Sequence, residues 1–393
     1  MKDAWNFVWN YLFSNETNLF YDHMVEMSSD GATKYLPSPE LIKRQIPNPN
    51  GWSTGMEDSV LCGGMMLDVI LARYKMTKEP EMKTLARKVY KGLELCATVS
   101  AEKGFIARSV SPVDKKSHYS NSSRDQYTHF IYSACRYYLS DLCEDTDKSS
   151  IRDILVQAAA RFETYITPEN GYNFPREDNK NGMVFQMWGE IGKHEYLRLP
   201  MFYAAAWKIG GENRFKDLYM QYRDEAIEKS FGIEYDSLST AYPILQMQYS
   251  LKFLYDLEED IDFRNKCRKL MDMAAEAFQK KLEEAYCLLT EPACRETVSY
   301  RYNPWEKEKG IYLGCFGGIA YYNHNQDIYK ENRAYYLIRN IGDEAAIMAL
   351  AGKHNEKAVG IVERTANLID WNNHYNNAPI NLLNAFWLMR SIG

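Results

Sequence analysis

Apolar residues recur every three or four positions along most of this chain, which is the spacing that lines one face of an α-helix. The clearest stretch runs from Leu61 through Met65 and Val69 to Ala72, and a second runs from Leu85 to Ala97. Read throughout, the pattern predicts about twelve helices. We therefore expect an all-α fold.

The predicted helices are joined by loops that alternate between short and long. The short loops fall near residues 77–79, 143–148, 210–212, 258–260 and 353–355, and the longer ones near 15–55, 100–122, 167–194, 231–238, 284–338 and 370–378. A short loop makes two neighbouring helices antiparallel, so each short loop defines a helical hairpin. The longer loops are then expected at one common end, where a binding site is usually built.

The helices that follow the longer loops differ in composition from their hairpin partners. They are predicted to begin near residues 56, 124, 196, 239, 340 and 379. Several are rich in small residues and methionine, as in 62–66 and 204–206, which lets helices approach closely. Their partners carry more charge. This difference predicts an inner and an outer layer, closed into six hairpins if helix 3–13 pairs with helix 379–391, in a single domain spanning residues 1–393.

Two helix starts carry capping-box patterns, in which a hydroxyl residue is followed three positions later by Glu or Gln. Thr54 with Glu57 forms the first pattern, and Ser123 with Gln126 forms the second. They predict that Asp58 lies just after one helix start and that Asp125 lies in the first turn of the other.

Composition narrows the classes of partner. The 393 residues are 46% hydrophobic and 25% charged, as in ordinary globular proteins. The net charge of -6 argues against nucleic acid, which requires a basic surface. With 30 Tyr, 16 Phe and 8 Trp, aromatic residues make up 14% of the chain. Tyr and Trp suit stacking on sugar rings, although they equally suit ordinary packing.

Cysteine spacing and the N-terminus favour a cytoplasmic protein without a metal or cofactor site. The eight cysteines form no Cys-x-x-Cys pair and no zinc-finger pattern, and buried thiols in a reducing compartment explain them simply. The start of the chain lacks the basic and apolar segments of a signal peptide. The most apolar stretch, residues 61–72, is too short to span a bilayer and contains Asp68.

Two segments resemble a known family. Residues 51–58 (GWSTGMED) and 122–127 (SSRDQY) are similar to segments of bacterial glycosyl hydrolases in the six-hairpin glycosidase superfamily. That resemblance implies an (α/α)6 toroid covering nearly the whole chain. Unsaturated uronyl hydrolases of this fold carry catalytic aspartates at inner-helix starts beside an aromatic pocket. By position, the resemblance assigns this role to Asp58 and Asp125.

Glycoside cleavage needs a proton donor at the leaving oxygen and a base or nucleophile on the opposite side. Asp125 is the favoured carboxylate, with Asp58 or Glu190 as its partner across the pocket. A separation of about 5 Å would indicate retention of configuration, and roughly 6.5–9.5 Å inversion. The alternative for each aspartate is helix capping, since acidic residues favour helix N-termini. Glu190 could instead be a solvated loop residue.

Aromatic, imidazole and guanidinium side chains near the longer loops are the candidate substrate-binding groups, because they stack on sugars or bond to their hydroxyl and carboxylate groups. They are Trp52, His118, Tyr119, Arg124, Trp188, His194, His374 and Tyr375. Turn formation and core packing remain the alternative roles. We expect these side chains to converge at the end of the longer loops.

The leading interpretation is a cytoplasmic glycoside hydrolase acting on a short oligosaccharide, possibly one with an acidic sugar that Arg124 would bind. A lyase or sugar epimerase is an alternative, in which His118, Tyr119, His194 and His374 would move protons. A non-catalytic glycan-binding toroid is a third possibility. None of these functions calls for a nucleic acid or a membrane, and the oligomeric state is left open.

Overall fold

In this computed structural model, residues 1–24, 26–52, 54–295, 314–316, 319–321 and 333–392 are described, and most of them are helical. The helices are α1 Lys2–Phe7, α2 Pro39–Lys43, α3 Ser59–Thr77, α4 Glu81–Thr98, α5 Arg124–Tyr138, α6 Asp145–Tyr165, α7 Arg198–Lys208, α8 Arg214–Ser230, α9 Tyr242–Leu257, α10 Ile261–Thr290, α11 Pro292–Arg295, α12 Arg333–Leu350, α13 Glu356–Leu368 and α14 Ala378–Arg390. The prediction of a mainly helical protein is confirmed.

Short irregular elements complete the described chain. A π-helical turn, Val8–Leu12, continues α1, and 3-10 turns occur at Pro168–Asn170 and Tyr235–Ser237. Two small antiparallel sheets pair β1 (Asn173–Pro175) with β2 (Asn181–Gln186), and β3 (Gly314–Phe316) with β4 (Ile319–Tyr321). These hairpins were not predicted from the sequence, since each lies within a segment expected to be a long loop.

The short loops are found where the sequence places them. Residues 78–80, 139–144, 209–213, 258–260 and 351–355 connect α3 to α4, α5 to α6, α7 to α8, α9 to α10, and α12 to α13. In each of these five hairpins the two helices pack against each other. The bounds of the long loop predicted at 284–338 are wrong, because α10 continues to Thr290 and α12 already begins at Arg333. Most of the segment between α11 and α12 lies outside the described residues.

Six helices are buried along most of their length, and we call α3, α5, α7, α9, α12 and α14 the core helices. Helix α3 packs on α5, α5 on α7, α7 on α9, α9 on α12, α12 on α14, and α14 again on α3. The other hairpin helices pack beside them, and α4 buries only one face, which includes Met82, Val89 and Leu93. Helix α1 contacts α14, as predicted for the first and last helices.

Glycine allows two pairs of core helices to approach closely. A Cβ at Gly64 of α3 would lie 2.9 Å from the backbone oxygen of His129 in α5. A Cβ at Gly342 of α12 would lie 2.5 Å from the carbonyl carbon of Asn381 in α14. Real Cβ atoms do not make contacts this short. The helices can therefore lie at this separation only because Gly64 and Gly342 have no side chain.

The capping-box predictions are wrong in detail, although the helix starts are close to those expected. Asp58, rather than Thr54, is the residue at the N-cap of α3, and the Thr54 hydroxyl instead donates to the backbone oxygen of Gly51. Ser123 is the N-cap of α5, but its side chain makes no capping hydrogen bond. Gln126 reaches towards α3 instead of bonding back to Ser123.

The C-terminal ends of five core helices lie side by side. Lys75 of α3, Arg136 of α5, Lys252 of α9, Leu350 of α12 and Leu388 of α14 line one cavity of about 370 Å³. These five helices therefore point in the same direction, and their N-terminal ends share the other end of the molecule.

The longer loops contact one another at that other end. The Met24 backbone N–H donates to the Tyr375 carbonyl at 2.7 Å, and the Glu177 N–H donates to the Ser120 carbonyl at 2.8 Å. The loops before α3, α5, α7 and α14 thus form a shared layer. None of the helices in the described part of the chain combines the length and apolar content that crossing a bilayer requires.

Candidate functional site

Asp58 and Asp125 lie at the N-terminal ends of the neighbouring core helices α3 and α5. Both side chains are partly accessible, with exposed fractions of 21% for Asp58 and 31% for Asp125. Gln126, which follows Asp125, donates from Nε2 to Asp58 Oδ1 at 2.8 Å. Asp58 is therefore hydrogen-bonded to the residue that follows Asp125, and both predicted aspartates lie at the same end of two neighbouring helices.

Asp125 is held by an arginine that has no access to solvent. Arg198, in the first turn of α7, donates from Nη1 to Asp125 Oδ1 at 2.7 Å, and its own side chain is 0% exposed. The Arg198 Nε atom also lies 2.8 Å from Glu195 Oε2. One buried guanidinium thus fixes the position of Asp125 and suits its ionised form.

Glu195 is the second carboxylate on this guanidinium. Burial alone would raise the pKa of Glu195, but the charges of Arg198 and Arg124 and a hydrogen bond from His194 outweigh burial and lower that pKa to about 2. Glu195 Oε1 lies 3.2 Å from His194 Nε2 and 3.3 Å from Arg124 Nη2. Glu195 is therefore negatively charged at neutral pH and holds three cationic or polar neighbours in place: Arg198, Arg124 and His194.

Asp58 lies in a mixed environment of positive and negative groups. Arg108 Nη2 is 3.6 Å from Asp58 Oδ1, and Arg108 Nε donates to the Glu57 carbonyl at 2.8 Å. On the other side, Asp22 accepts from the backbone N–H groups of Glu57 and Asp58 at 2.6 and 2.9 Å. Burial, followed by repulsion from Asp58 and Glu57, raises the pKa of Asp22. Asp22 is thus a carboxyl group that retains its proton more readily, directly beside Asp58.

The opposite side of the site comes from α9 and α12. Burial and the negative charge of Asp125 raise the pKa of Tyr242, at the start of α9, to about 12. Arg339 of α12 donates to the Tyr335 hydroxyl at 3.0 Å and interacts electrostatically with Asp58 and Asp343. The Tyr242 side chain is exposed. Its phenol interacts electrostatically with Asp125, and the Arg339 guanidinium interacts with Asp58.

Asp343 lies deeper on α12. It is 1% exposed, and its Oδ1 atom accepts from Asn381 Nδ2 of α14 at 2.7 Å. Burial raises the pKa of Asp343 to about 6, against the opposing effects of Arg339 and the Asn381 hydrogen bond. All six core helices therefore contribute polar side chains or backbone to one cluster, which we call the mouth cluster: Asp22, Asp58, Asp125, Glu195, Arg198, Tyr242, Tyr335, Arg339, Asp343 and Asn381.

The mouth cluster can supply carboxylates in two protonation states. Asp125, paired with Arg198, suits the role of base or nucleophile, whereas Asp22 and Asp343 have raised pKa values that suit a donor. Within the described residues, no group of three or more His, Cys, Asp or Glu side chains is arranged to hold a metal ion. The carboxyl, guanidinium and phenol groups of the mouth cluster can transfer protons and stabilise charge.

Arg124 and His194 also belong to the site, through Glu195. Arg124 Nη1 donates to the Gln186 carbonyl at 2.5 Å, and its side chain is 15% exposed, so it binds the protein more than the solvent. Glu190 lies apart from these residues, in an exposed bend that follows β2. No measured contact connects Glu190 with Asp125, and its predicted role remains a prediction.

The predicted aromatic platforms mainly serve in packing. Trp188 is 6% exposed and packs edge-on against Tyr196 and Tyr222, with ring centroids 5.1 and 4.7 Å apart. Tyr119 is 2% exposed, and its hydroxyl donates to the Ile46 carbonyl at 2.7 Å. Trp52 is half-buried in a loop that Asn48 braces through hydrogen bonds to the Trp52 backbone.

Two predicted histidines lie in other surroundings. His118 Nε2 is 2.9 Å from Glu177 Oε2, and although burial lowers the pKa of His118, Glu177 outweighs this effect and raises it. His374 is 0% exposed and packs against Phe7 and Trp371, where a dissolved sugar has no access. Tyr375 is half-buried, and its carbonyl joins the loop of Met24.

The sequence reasoning missed Arg198, Glu195, Tyr242, Arg339 and Asp343. A signal existed for some of them. Arg198 interrupts the apolar run 197–206, and Asp343 with Glu344 interrupts the apolar run 341–350. A charged residue on the buried face of a helix needs a partner, so such interruptions indicate a buried polar network. Comparison with protein-family models, curated proteins and solved structures gives no match for this chain.

Proposed function

We propose that the core helices form the inner ring of an (α/α)6 toroid, as in the six-hairpin glycosidase superfamily, and that residues 1–393 make one such domain. The support is the cyclic packing order from α3 through α14 back to α3, together with the shared direction of five core helices. In this arrangement α1 and α14 form the sixth hairpin, and the mouth cluster lies at the N-terminal end of the ring.

We infer that the chain is a glycoside hydrolase acting on a short oligosaccharide, working in the cytoplasm. One observation carries this proposal: two partly accessible aspartates, Asp58 and Asp125, lie at the starts of neighbouring helices, and Gln126, the residue after Asp125, donates to Asp58. Glycoside cleavage uses a pair of carboxyl groups with different protonation states. Asp125 is the base or nucleophile in this proposal, because the buried Arg198 donates to its carboxyl group and fixes its position.

The proton donor would be Asp58, acting beside Asp22. Asp22 is the carboxyl whose pKa is raised, and the two groups repel each other as anions. One proton shared between such neighbours is favoured over two negative charges. Asp58, with 21% of its side chain exposed, would be the member of this pair that meets the substrate.

An acidic sugar is the substrate class that the charges favour. Arg339 and Arg108 lie beside Asp58, and Tyr242 and Tyr335 add hydroxyl groups and flat faces. A sugar carboxylate would gain a charge-assisted hydrogen bond from a half-buried guanidinium. The nearby phenols would bond to ring hydroxyls.

A glycan panel tests the proposal. Release of reducing sugar should be measured with neutral and uronate-containing oligosaccharides, alongside absorbance of an unsaturated uronate product. We expect reducing ends without any gain in absorbance, and loss of that release in Asp125→Asn. Growth of absorbance would indicate a lyase, and unchanged turnover in the variant would remove Asp125 from the chemistry.

A further inference from the structure

A second cavity opens between α10, α12 and residues 236–240, away from Asp125 and Asp58. Its volume is about 320 Å³, and Phe278, Leu288 and Leu337 contribute apolar walls. Small-molecule sites are typically concave and apolar, with a few polar groups that fix the orientation of the ligand. Its charged lining residues are Asp236, Lys280, Lys281, Glu284 and Glu344, and Glu344 is the buried one among the acids.

Glu344 is a buried carboxyl group without a full set of partners. Its side chain is 4% exposed, and its Oε2 atom has no hydrogen-bond partner among the described residues. Burial first, and then the neighbouring charge of Asp343, raise the pKa of Glu344 to about 9. A buried carboxyl left in this state is costly unless a donor reaches it.

The charged neighbours of Glu344 do not supply that donor. Lys281 Nζ donates to the carbonyl oxygens of Tyr235 and Leu238, both at 2.8 Å. Glu284 adds a further negative charge, and its Oε1 atom lies 3.6 Å from Lys280 Nζ. Asp343 bonds to Asn381 on the other side of α12. The charges of Asp343 and Glu284 thus act against that of Lys281 at Glu344, and none of the three is a hydrogen-bond donor to its Oε2 atom.

We propose that this cavity binds a small organic cation, a primary alkylammonium, whose charged nitrogen pairs with the Glu344 carboxylate while its alkyl chain lies along Phe278 and Leu337. An ammonium group brings the donor that the Glu344 Oε2 atom lacks. Lys281 Nζ lies 5.3 Å from the centroid of the Phe278 ring, so an ammonium group fits beside this ring. None of the mouth-cluster residues lines this cavity, so the proposal stands whether or not the chain is a hydrolase.

Calorimetric titration with n-butylammonium chloride at pH 7, 8 and 9 tests this site, with n-butanol as the uncharged match. Glu344 has to lose its proton before it can pair with the ammonium. Affinity should therefore rise up to about tenfold per pH unit and level off near pH 9, with release of up to about one proton per bound ligand. Proton release is read from titrations in two buffers of different ionisation enthalpy.

Two variants and a control complete the test. Glu344→Gln should weaken butylammonium binding at least about tenfold at pH 9, whereas Glu284→Gln, at the exposed rim, should change it by less than about threefold. Ala285→Leu should block binding by filling the cavity while leaving Glu344 intact. Equal affinity for butanol, no binding at millimolar ligand, or unchanged binding in both Glu344→Gln and Ala285→Leu would each overturn the proposal.

Discussion

The two ends of the core helices carry different kinds of charge. At the C-terminal ends, Lys75, Arg136, Lys252 and Arg268 line the cavity, with Asp256 the acidic residue among its lining groups. At the N-terminal ends, carboxylates and guanidinium groups are mixed, and some of them are buried. Helix dipoles favour cations at C-termini and anions at N-termini. The helix dipole accounts for Lys75 and Arg136, which lie in the last turns of α3 and α5, but not for Arg268, which lies near the start of α10.

Helix dipoles explain only some of the charged residues of the mouth cluster. The dipole accounts for Asp58 and Asp125, but it disfavours Arg124 and Arg198, which lie in the first turns of α5 and α7. Burying Arg198 with two carboxylates also costs desolvation, which a well-packed apolar core would avoid. Because Arg124 and Arg198 are present despite these costs, they indicate a candidate site at this end more strongly than the aspartates do.

The largest expected effect is on catalysis, from Asp125→Asn. The amide keeps the size of the side chain and can still accept from Arg198, but it cannot act as a base or nucleophile. We expect turnover of the best glycan to fall about 10³-fold, with a stability loss of only about 1 kcal/mol. Initial rates and urea unfolding measure the two quantities.

Asp224→Asn, at a 65% exposed position on α8, is the matched control and should leave both quantities unchanged. An Asp125→Asn protein that unfolds without denaturant would return Asp125 to a purely structural role.

The next effect is on stability, from Arg198→Met. This substitution keeps apolar volume but leaves Asp125 and Glu195 without their shared cation, so unfolding free energy should fall by about 3–5 kcal/mol. Arg214→Met removes a 51% exposed arginine that pairs with Glu163, and should cost at most about 1 kcal/mol. Similar losses in both variants would mean that the buried network resembles an ordinary surface pair.

The decrease of the unfolding free energy at low pH should depend on Glu195. Its folded pKa of about 2 lies below its ordinary value of 4.5, so its stabilising contribution is present above pH 4.5 and is lost as pH falls towards 2. This loss should reach about 3 kcal/mol in the wild type. Glu195→Gln should be less stable at neutral pH, and its unfolding free energy should approach that of the wild type near pH 2. Parallel curves would assign the acid sensitivity elsewhere.

The smallest effect is expected at the basic end, from Lys252→Gln. Lys252 Nζ pairs with Asp256 one helical turn away, and both side chains are at least a third exposed. We expect stability to change by about 0.5 kcal/mol or less. Glycan turnover should not change. A large loss of turnover would place part of the active site at the short-loop end.

Helical periodicity predicted most of the fold, because an amphipathic helix carries its burial pattern in its own sequence. The short loops after Thr77, Leu257 and Leu350 are marked by local breaks in that pattern. The hairpin of β1 and β2 could not be predicted, because its three-residue first strand is too short to show a periodicity. Capping was misassigned at Thr54, where a turn with Gly51 competes with the helix for the hydroxyl.

The site was predicted less completely than the fold. Asp58 and Asp125 were found because helix starts are visible in the sequence. Arg198 and Arg339 were missed, since their importance depends on which helices are neighbours in space. His374 was selected for its polar loop, but its ring packs under α1, a contact between residues far apart in the chain. Local composition does not carry such information.

Gly342 links the packing of α12 against α14 to the positions of the charged side chains in the mouth cluster. It precedes Asp343 and rests on the backbone of Asn381, the residue that binds Asp343. Any larger side chain at Gly342 would push α12 away from α14. Arg339, one turn earlier on α12, would move with the helix. The spacing of charged groups at the mouth is thus tuned by a residue that has neither charge nor side chain.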